Sequence, residues 1–310
     1  MGRFTHARRI GDVIDIPTEL AETQSKFLGE AGRAFIAALP GRAADFLERW
    51  ELRRTGPSMY GMCALVLPVE RADGTPAVLK LQHLDEESAG EPVALRVWGG
   101  DGAVRLLAYD DGTGTLLLER LDTRDLNEVE SREAVRIIAE LLARLTSVPA
   151  PAGMRGLGDI AARMLDGVPV ASRSLPDETE RRLLRDCAAA VREVAGEPGD
   201  RLLHWDLHYE NVLASHPADA REPWLAIDPK PLAGDPGFDL MPALDNRFDA
   251  AETLWRFDLM TEVLGLDRER ARARAWTLGR VLQNSLWDIA DGERALNPEQ
   301  VSIARSLLAR

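Results

Sequence analysis

His204-Trp205-Asp206-Leu207-His208-Tyr209-Glu210-Asn211-Val212-Leu213 sets a His-x-Asp-x-x-x-x-Asn spacing just ahead of an apolar, strand-like tail. A hydroxyl that attacks phosphorus needs an acceptor for its proton, and the phosphates need a cation. One short loop carrying Asp206 and Asn211 serves both needs. Downstream, Leu225-Ala226-Ile227-Asp228 is a second apolar strand ending in a carboxylate, the place where a phosphoryl-transfer site puts its principal magnesium ligand. The spacing predicts a kinase of small molecules.

Upstream, Ala77-Val78-Leu79-Lys80-Leu81 is an apolar strand with a single charge. A strand lysine in a kinase reaches the α- and β-phosphates as a compact point charge, and a carboxylate from the following helix holds it in place. Glu91 is the first choice for that partner and Glu87 the second; Pro92 suits a first helical turn and puts Glu91 near the helix start. Taken alone, Lys80 reads better as an edge-strand charge that guards against aggregation. Set beside Asp206, Asn211 and Asp228, it reads as the phosphate lysine. Between the first two strands, Thr55-Gly56-Pro57-Ser58-Met59-Tyr60-Gly61 is either a phosphate loop, with Ser58 and backbone N–H groups as donors, or an ordinary hairpin loop. No Gly-x-x-x-x-Gly-Lys-Ser/Thr run is present, so a P-loop is not the phosphate device.

His204 and His208 lie four apart, but there is no His-Glu-x-x-His and no evident third ligand for zinc. His204 is expected to bond backbone near the end of the Asp228 strand, whereas His208 and Tyr209 are open between substrate contact and loop packing. Gly234-Asp235-Pro236-Gly237-Phe238-Asp239-Leu240 suits a tight turn in which Asp239 caps a helix or ties back to the 204–211 loop, and it leaves no room for a long activation loop. Trp287-Asp288-Ile289-Ala290-Asp291 ends a helix with acids that oppose its macrodipole. Either Trp287, Asp288 and Asp291 gather a cationic substrate through charge and cation–π contact, or they form a solvated surface turn.

The chain has 310 residues, 45% apolar content and a formal net charge of −13. At about 100–200 residues per domain this favours two lobes. The acidity disfavours nucleic-acid and anionic-membrane partners and suits a cationic small-molecule substrate. Cys63 and Cys187 lie far apart, outside any Cys-x-x-Cys pair, which argues against a disulfide framework or structural zinc. The basic start, Met1 to Arg9, is followed by no apolar core of signal-peptide length, and nowhere do eighteen apolar residues run together. The expectation is a cytoplasmic monomer.

Apolar spacing predicts a helix over 20–39 stopping at Pro40, a helix over 41–50, strands at 50–54, 63–69 and 77–81, a helix over 90–98, and a hairpin of 104–109 with 115–119. Helices then follow at 131–148, 157–165, 177–195, 252–264, 267–290 and 298–309. The fold class is α+β: a small sheet-bearing lobe over 1–121 and a larger helical lobe over 122–310, joined near 119–123.

Together these motifs, with Ala94-Leu95-Arg96-Val97-Trp98, Leu117-Leu118-Glu119-Arg120-Leu121 and Leu282-Gln283-Asn284-Ser285-Leu286-Trp287-Asp288, resemble the aminoglycoside and hydroxyurea phosphotransferase family, specifically its streptomycin 6-kinase branch. The resemblance spans roughly residues 50–292. It implies a protein-kinase-like bilobal fold, ATP between the lobes with adenine against the Glu119 to Leu121 hinge, and γ-phosphate transfer to the 6-hydroxyl of the streptidine ring. It further implies Asp206 as catalytic base, Asn211 and Asp228 as ligands of Mg2+, and Lys80 as the phosphate lysine. Wider aminoglycoside kinases usually have Gly where Trp205 stands, which puts the substrate contacts of this loop, Trp205 among them, in question. Pro229 replaces the Phe of protein kinases, arguing against a mobile Phe switch. The rival readings are a kinase of another small hydroxylated molecule such as hydroxyurea, a metal-dependent hydrolase, and a noncatalytic nucleotide-binding protein.

Overall fold

Leu20, Phe35, Leu39, Ala43 and Phe46 recur at near-helical spacing and form the buried stripe of α1 (Thr18–Arg49). In the computed structural model, which describes residues 14–216 and 221–310, this helix runs through Pro40 instead of stopping there. The basic run from Met1 to Arg9 lies outside the described residues. The interruption falls at Gly29 (φ 56°, ψ −122°), where the chain kinks. A proline inside a helix costs about 3 kcal/mol; burying Phe35, Leu39, Ala43 and Phe46 against the sheet offsets it.

The sheet contains β1 (Arg53–Arg54), β2 (Met59–Tyr60), β3 (Ala64–Glu70) and β4 (Pro76–Gln82). After α2 (Glu91–Trp98) come β5 (Leu106–Asp110) and β6 (Thr115–Glu119). The order is β1-β3-β4-β6-β5, with β2 also paired to β3 and every pairing antiparallel. Because β1 and β2 pair with the same strand (Arg54 opposite Val69, Met59 opposite Val66), residues 55–58 are an excursion within one edge strand. The expected loop between the first two strands is therefore misplaced: the turn into β3 is 61–63, closed by Gly61 N–H donating to Ala64 O at 3.0 Å. Strand alternation sends Ala77, Leu79 and Leu81 into the core with Leu65, Leu67 and Val69, and turns Lys80 and Gln82 to the opposite face.

The chain forms two compact units. One comprises residues up to Pro92 with Arg105–Arg120, the other Val93–Val104 with Leu121–Arg310. The expected division at 121 therefore misses the 93–104 segment. Its attachments explain the grouping: Val104 N–H donates to Ala226 O and Ala226 N–H to Gly102 O, both at 2.9 Å, while Trp98 Nε1 donates to Leu145 O at 3.0 Å.

The second unit is mostly helical: α3 (Ser131–Leu145), α4 (Leu157–Ser174) and α5 (Glu178–Val194) precede its strands. α4 outruns its expected end at 165 and continues past Pro169. Two small ladders follow, β7 (Arg201–Leu203) with β10 (Leu232–Gly234), and β8 (Val212–Ala214) with β9 (Trp224–Ala226). The chain ends in α6 (Met241–Asp245), α7 (Thr253–Val263), α8 (Arg270–Ala290) and α9 (Pro298–Leu308). α8 lies against α4, α5 and the 236–240 turn, with Trp276 and Phe238 fully buried and edge-to-face between them. No helix among the described residues is long and apolar enough to cross a membrane.

Candidate active site

β7 ends at Leu203, opposite Leu232, and delivers residues 204–208 at the end of its ladder. The β8–β9 pairing sets Val212 opposite Ala226, and Ile227 N–H donates to Asn211 O at 2.9 Å, so Asn211 and Asp228 leave the same end of this hairpin. His204 is fully buried, and both ring nitrogens are engaged: Nε2 lies 3.0 Å from Ile227 O, and Nδ1 accepts the Asp206 N–H at 3.3 Å. This fixes the Nε2–H tautomer, and burial pushes the imidazole down to about 3. A histidine so committed has no nitrogen left for zinc.

The buried Asp239 carboxylate accepts His204 N–H at 2.8 Å and Trp205 N–H at 2.5 Å, tying the 234–240 turn to the loop. Burial pushes Asp239 up to about 7 against those two bonds. Asp235 sits on the same turn; it accepts Gly237 N–H at 2.8 Å and faces Arg272 Nε at 2.8 Å, which makes it structural. Asp206 is partly exposed, with its pKa raised by burial and lowered chiefly by Arg280. Asn211 Nδ2 donates to Asp206 O at 2.8 Å, leaving Oδ1 as the amide atom able to face a cation. Asp228 stands at φ 56°, with Lys230 Nζ 3.0 Å from its Oδ1. A carboxylate and an amide oxygen are the hard oxygen donors Mg2+ takes, alongside water and phosphate oxygens, so these residues fit that ion.

In the first unit Lys80 Nζ lies 2.7 and 2.8 Å from the two oxygens of Glu91, the first residue of α2. Gln82 Nε2 adds a third bond to Glu91 at 2.8 Å, and the carboxylate is fully buried. Glu91 is thus a partner of Lys80. Ser58 lies in the edge-strand excursion, its hydroxyl accepting from Arg54 Nη2 at 3.2 Å. Glu119 closes β6; its carboxylate accepts Arg105 N–H at 2.7 Å. Leu121 is buried at the start of the second unit's long segment.

A cavity of about 360 Å³ in the second unit opens on Asp206. His208, Asp245, Arg280, Asn284 and Glu299 line it with Asp206. Burial raises the Asp245 carboxyl despite a 2.8 Å bond from Gln300 Nε2. Of the expected substrate contacts only His208 is in this lining. Tyr209 is fully buried, its hydroxyl 3.3 Å from Ala243 O, and Trp205 is 2% exposed, so both pack inside the unit. Trp287, Asp288 and Asp291 lie outside the lining: Trp287 packs its ring 5.9 Å from that of Trp205, while burial and the neighbouring Glu293 and Asp291 carboxylates push Asp288 up at the end of α8. The acids that line the cavity besides Asp206, namely Asp245 and Glu299, come from α6 and α9 and carry no local motif.

A sheet-bearing unit with a buried Lys–Glu pair and a helical unit with an Asp…Asn loop and a strand-end Asp make up a protein-kinase-like fold. The solved macrolide 2'-phosphotransferase MphH from Brachybacterium faecium shares it, with a TM-score of 0.56 at 17% identity over 86% of this chain and 97% of that one. The sequence pattern of the aminoglycoside/hydroxyurea antibiotic resistance kinases matches residues 49–292. A hydroxyurea phosphotransferase from Kitasatospora aureofaciens is 65% identical over 98% of this chain and 88% of its own. A streptomycin 6-kinase from Streptomyces glaucescens is 56% identical over 95% of this chain and 97% of its own. The protein is therefore a phosphotransferase. It belongs to the aminoglycoside/hydroxyurea antibiotic resistance kinase family.

Proposed function

We propose that the protein transfers the γ-phosphate of ATP to the 6-hydroxyl on the streptidine ring of streptomycin and so confers resistance to it. The observation that carries this reading is the cavity at Asp206, whose lining adds Asp245 and Glu299 to the base. Streptidine bears guanidinium groups, and paired carboxylates recognise guanidinium through charge-assisted hydrogen bonds. Asp206 accepts the proton of the attacking hydroxyl as its oxygen bonds to the γ-phosphorus, and the bond from that phosphorus to the ADP oxygen breaks. Lys80, oriented by Glu91, holds the α- and β-phosphates, and Asn211 and Asp228 hold Mg2+, which supplies charge neutralisation when bound. Glu119 and Leu121 border the adenine, and His208 meets the acceptor. The added phosphate puts negative charge on a drug recognised by its cations.

A second reading, hydroxyurea as acceptor, is favoured by the 65% identity to the Kitasatospora protein. Hydroxyurea is small and neutral, and it leaves the cavity carboxylates without a cation to meet. The test is to incubate the purified protein with labelled ATP, Mg2+ and each acceptor. Label on streptomycin at the 6-position supports the proposal; label on hydroxyurea alone overturns the substrate while leaving the kinase.

A further inference from the structure

The turn that aims Asp206 is held by more than its own backbone. Trp205 stands at φ 71°, a left-handed conformation in which a side chain crowds the neighbouring carbonyl and which ordinary residues hold only where the surroundings compel it. Its N–H is committed to Asp239, and its indole is buried. Two guanidinium groups lie over that indole, Arg155 at 4.0 Å and Arg280 at 4.7 Å from the ring centroid. Away from water, such cation–π contacts strengthen.

Neither arginine stops at the ring. Arg155 donates from Nη2 to Lys230 O at 2.8 Å and from Nε to Pro231 O at 3.1 Å, so one planar fork touches both the residue before Asp206 and the segment just past Asp228. Arg280, 8% exposed on α8, also lies 5.4 Å from the Trp287 ring and 5.9 Å from the Phe238 ring, and it lines the cavity with Asp206. If the indole were released, φ of Trp205 would relax toward negative values, and the Asp206 carboxylate one residue on would swing with it.

We infer that Arg155 and Arg280 are positioning residues: their guanidinium groups over the Trp205 indole hold the left-handed turn that aims Asp206, and Arg155 fixes that turn to the segment carrying Asp228. The inference rests on Asp206 being the base.

The test is a double-mutant cycle with ATP and Mg2+, run with streptomycin and hydroxyurea as acceptors in parallel so that the reference rate comes from whichever the wild type phosphorylates. Arg155→Met and Trp205→Leu each lower kcat at least about tenfold, while the KM for ATP stays within about twofold, because misaiming of the base acts on the chemical step. The double variant is no slower than the slower single within about twofold, since the turn is lost only once. Arg155→Lys, which keeps a cation but not the fork, falls between wild type and Arg155→Met. A folded Arg155→Met with wild-type kcat, or losses that multiply in the double variant, overturns the inference. Should Arg155→Met not fold, Arg155→Lys with Trp205→Phe completes the same cycle: non-additive losses support the clamp, and multiplying losses overturn it. Asp206→Ala is measured alongside: turnover surviving there removes the base itself, a failure distinguishable from that of the clamp.

Discussion

As the proposed base, Asp206 would work only when ionised, and burial raises its pKa above the ordinary carboxylate value. Protonation on acidification removes the acceptor, so kcat/KM should fall as pH drops through that raised pKa, and its acid limb should lie above 3.8, measured with saturating ATP and Mg2+. Asp206→Ala should lower kcat about 10²–10⁴-fold with nucleotide affinity, read by calorimetry, nearly unchanged. Of the three lysines in the chain, Lys80 and Lys230 both face site carboxylates, Glu91 and Asp228. Removing one partner of a buried ion pair strands the other, so Lys80→Ala should cost about 3–5 kcal/mol in chemical denaturation as well as turnover. The Lys80–Glu91 pairing was legible only in part: a lone charge on an apolar strand pointed to Lys80, but Pro92, by setting Glu91 at the helix start, weakened its case and left Glu87 open as partner. Trp205 and Tyr209 were not legible, since an aromatic residue on a polar loop reads equally as a contact or as an anchor until its burial is known. Asp245 and Glu299 were illegible for another reason: they meet only through the packing of separate helices.

At the scale of elements, strand and helix periodicities located the sheet and the helices of the second unit, while punctuation misled. Pro40 read as a stop because sequence shows the lost N–H but not the core burial that outweighs it. The Thr55 to Gly61 stretch read as one loop, for phosphate or for a hairpin, because its glycines and Pro57 hide the two-residue strand at Met59 and Tyr60. The 234–240 turn is the element on which the loop depends, through Asp239, and α8 seats directly on it. A Cβ on Gly237 would stand 2.5 Å from Ala273 Cα, and Thr277 Oγ1 donates to Gly237 O at 2.9 Å. Gly237→Ala should therefore displace α8 from the turn and lower stability by about 1–3 kcal/mol, with a fall in kcat from the displaced Arg280. A variant with wild-type melting and turnover would show that this seat is softer than its geometry implies.

For the whole molecule, the net charge of −13 gives a cationic acceptor a favourable field that salt weakens. Raising ionic strength should raise the KM for streptomycin and leave that for hydroxyurea flat; a flat response for both removes the electrostatic argument. The sequence made the kinase legible because the candidate reacting groups sit in short motifs, but the cavity proposed to receive the acceptor is assembled from distant segments, and relatives named for two different acceptors match most of this chain. The most direct test is therefore kcat/KM for streptomycin against hydroxyurea under one concentration of ATP and Mg2+. On the proposed function, each charge-assisted hydrogen bond that Asp245 or Glu299 accepts from a guanidinium would contribute about 1.5–3 kcal/mol, so streptomycin should lead by at least about tenfold. Equal values, or a lead for hydroxyurea, would contradict the account.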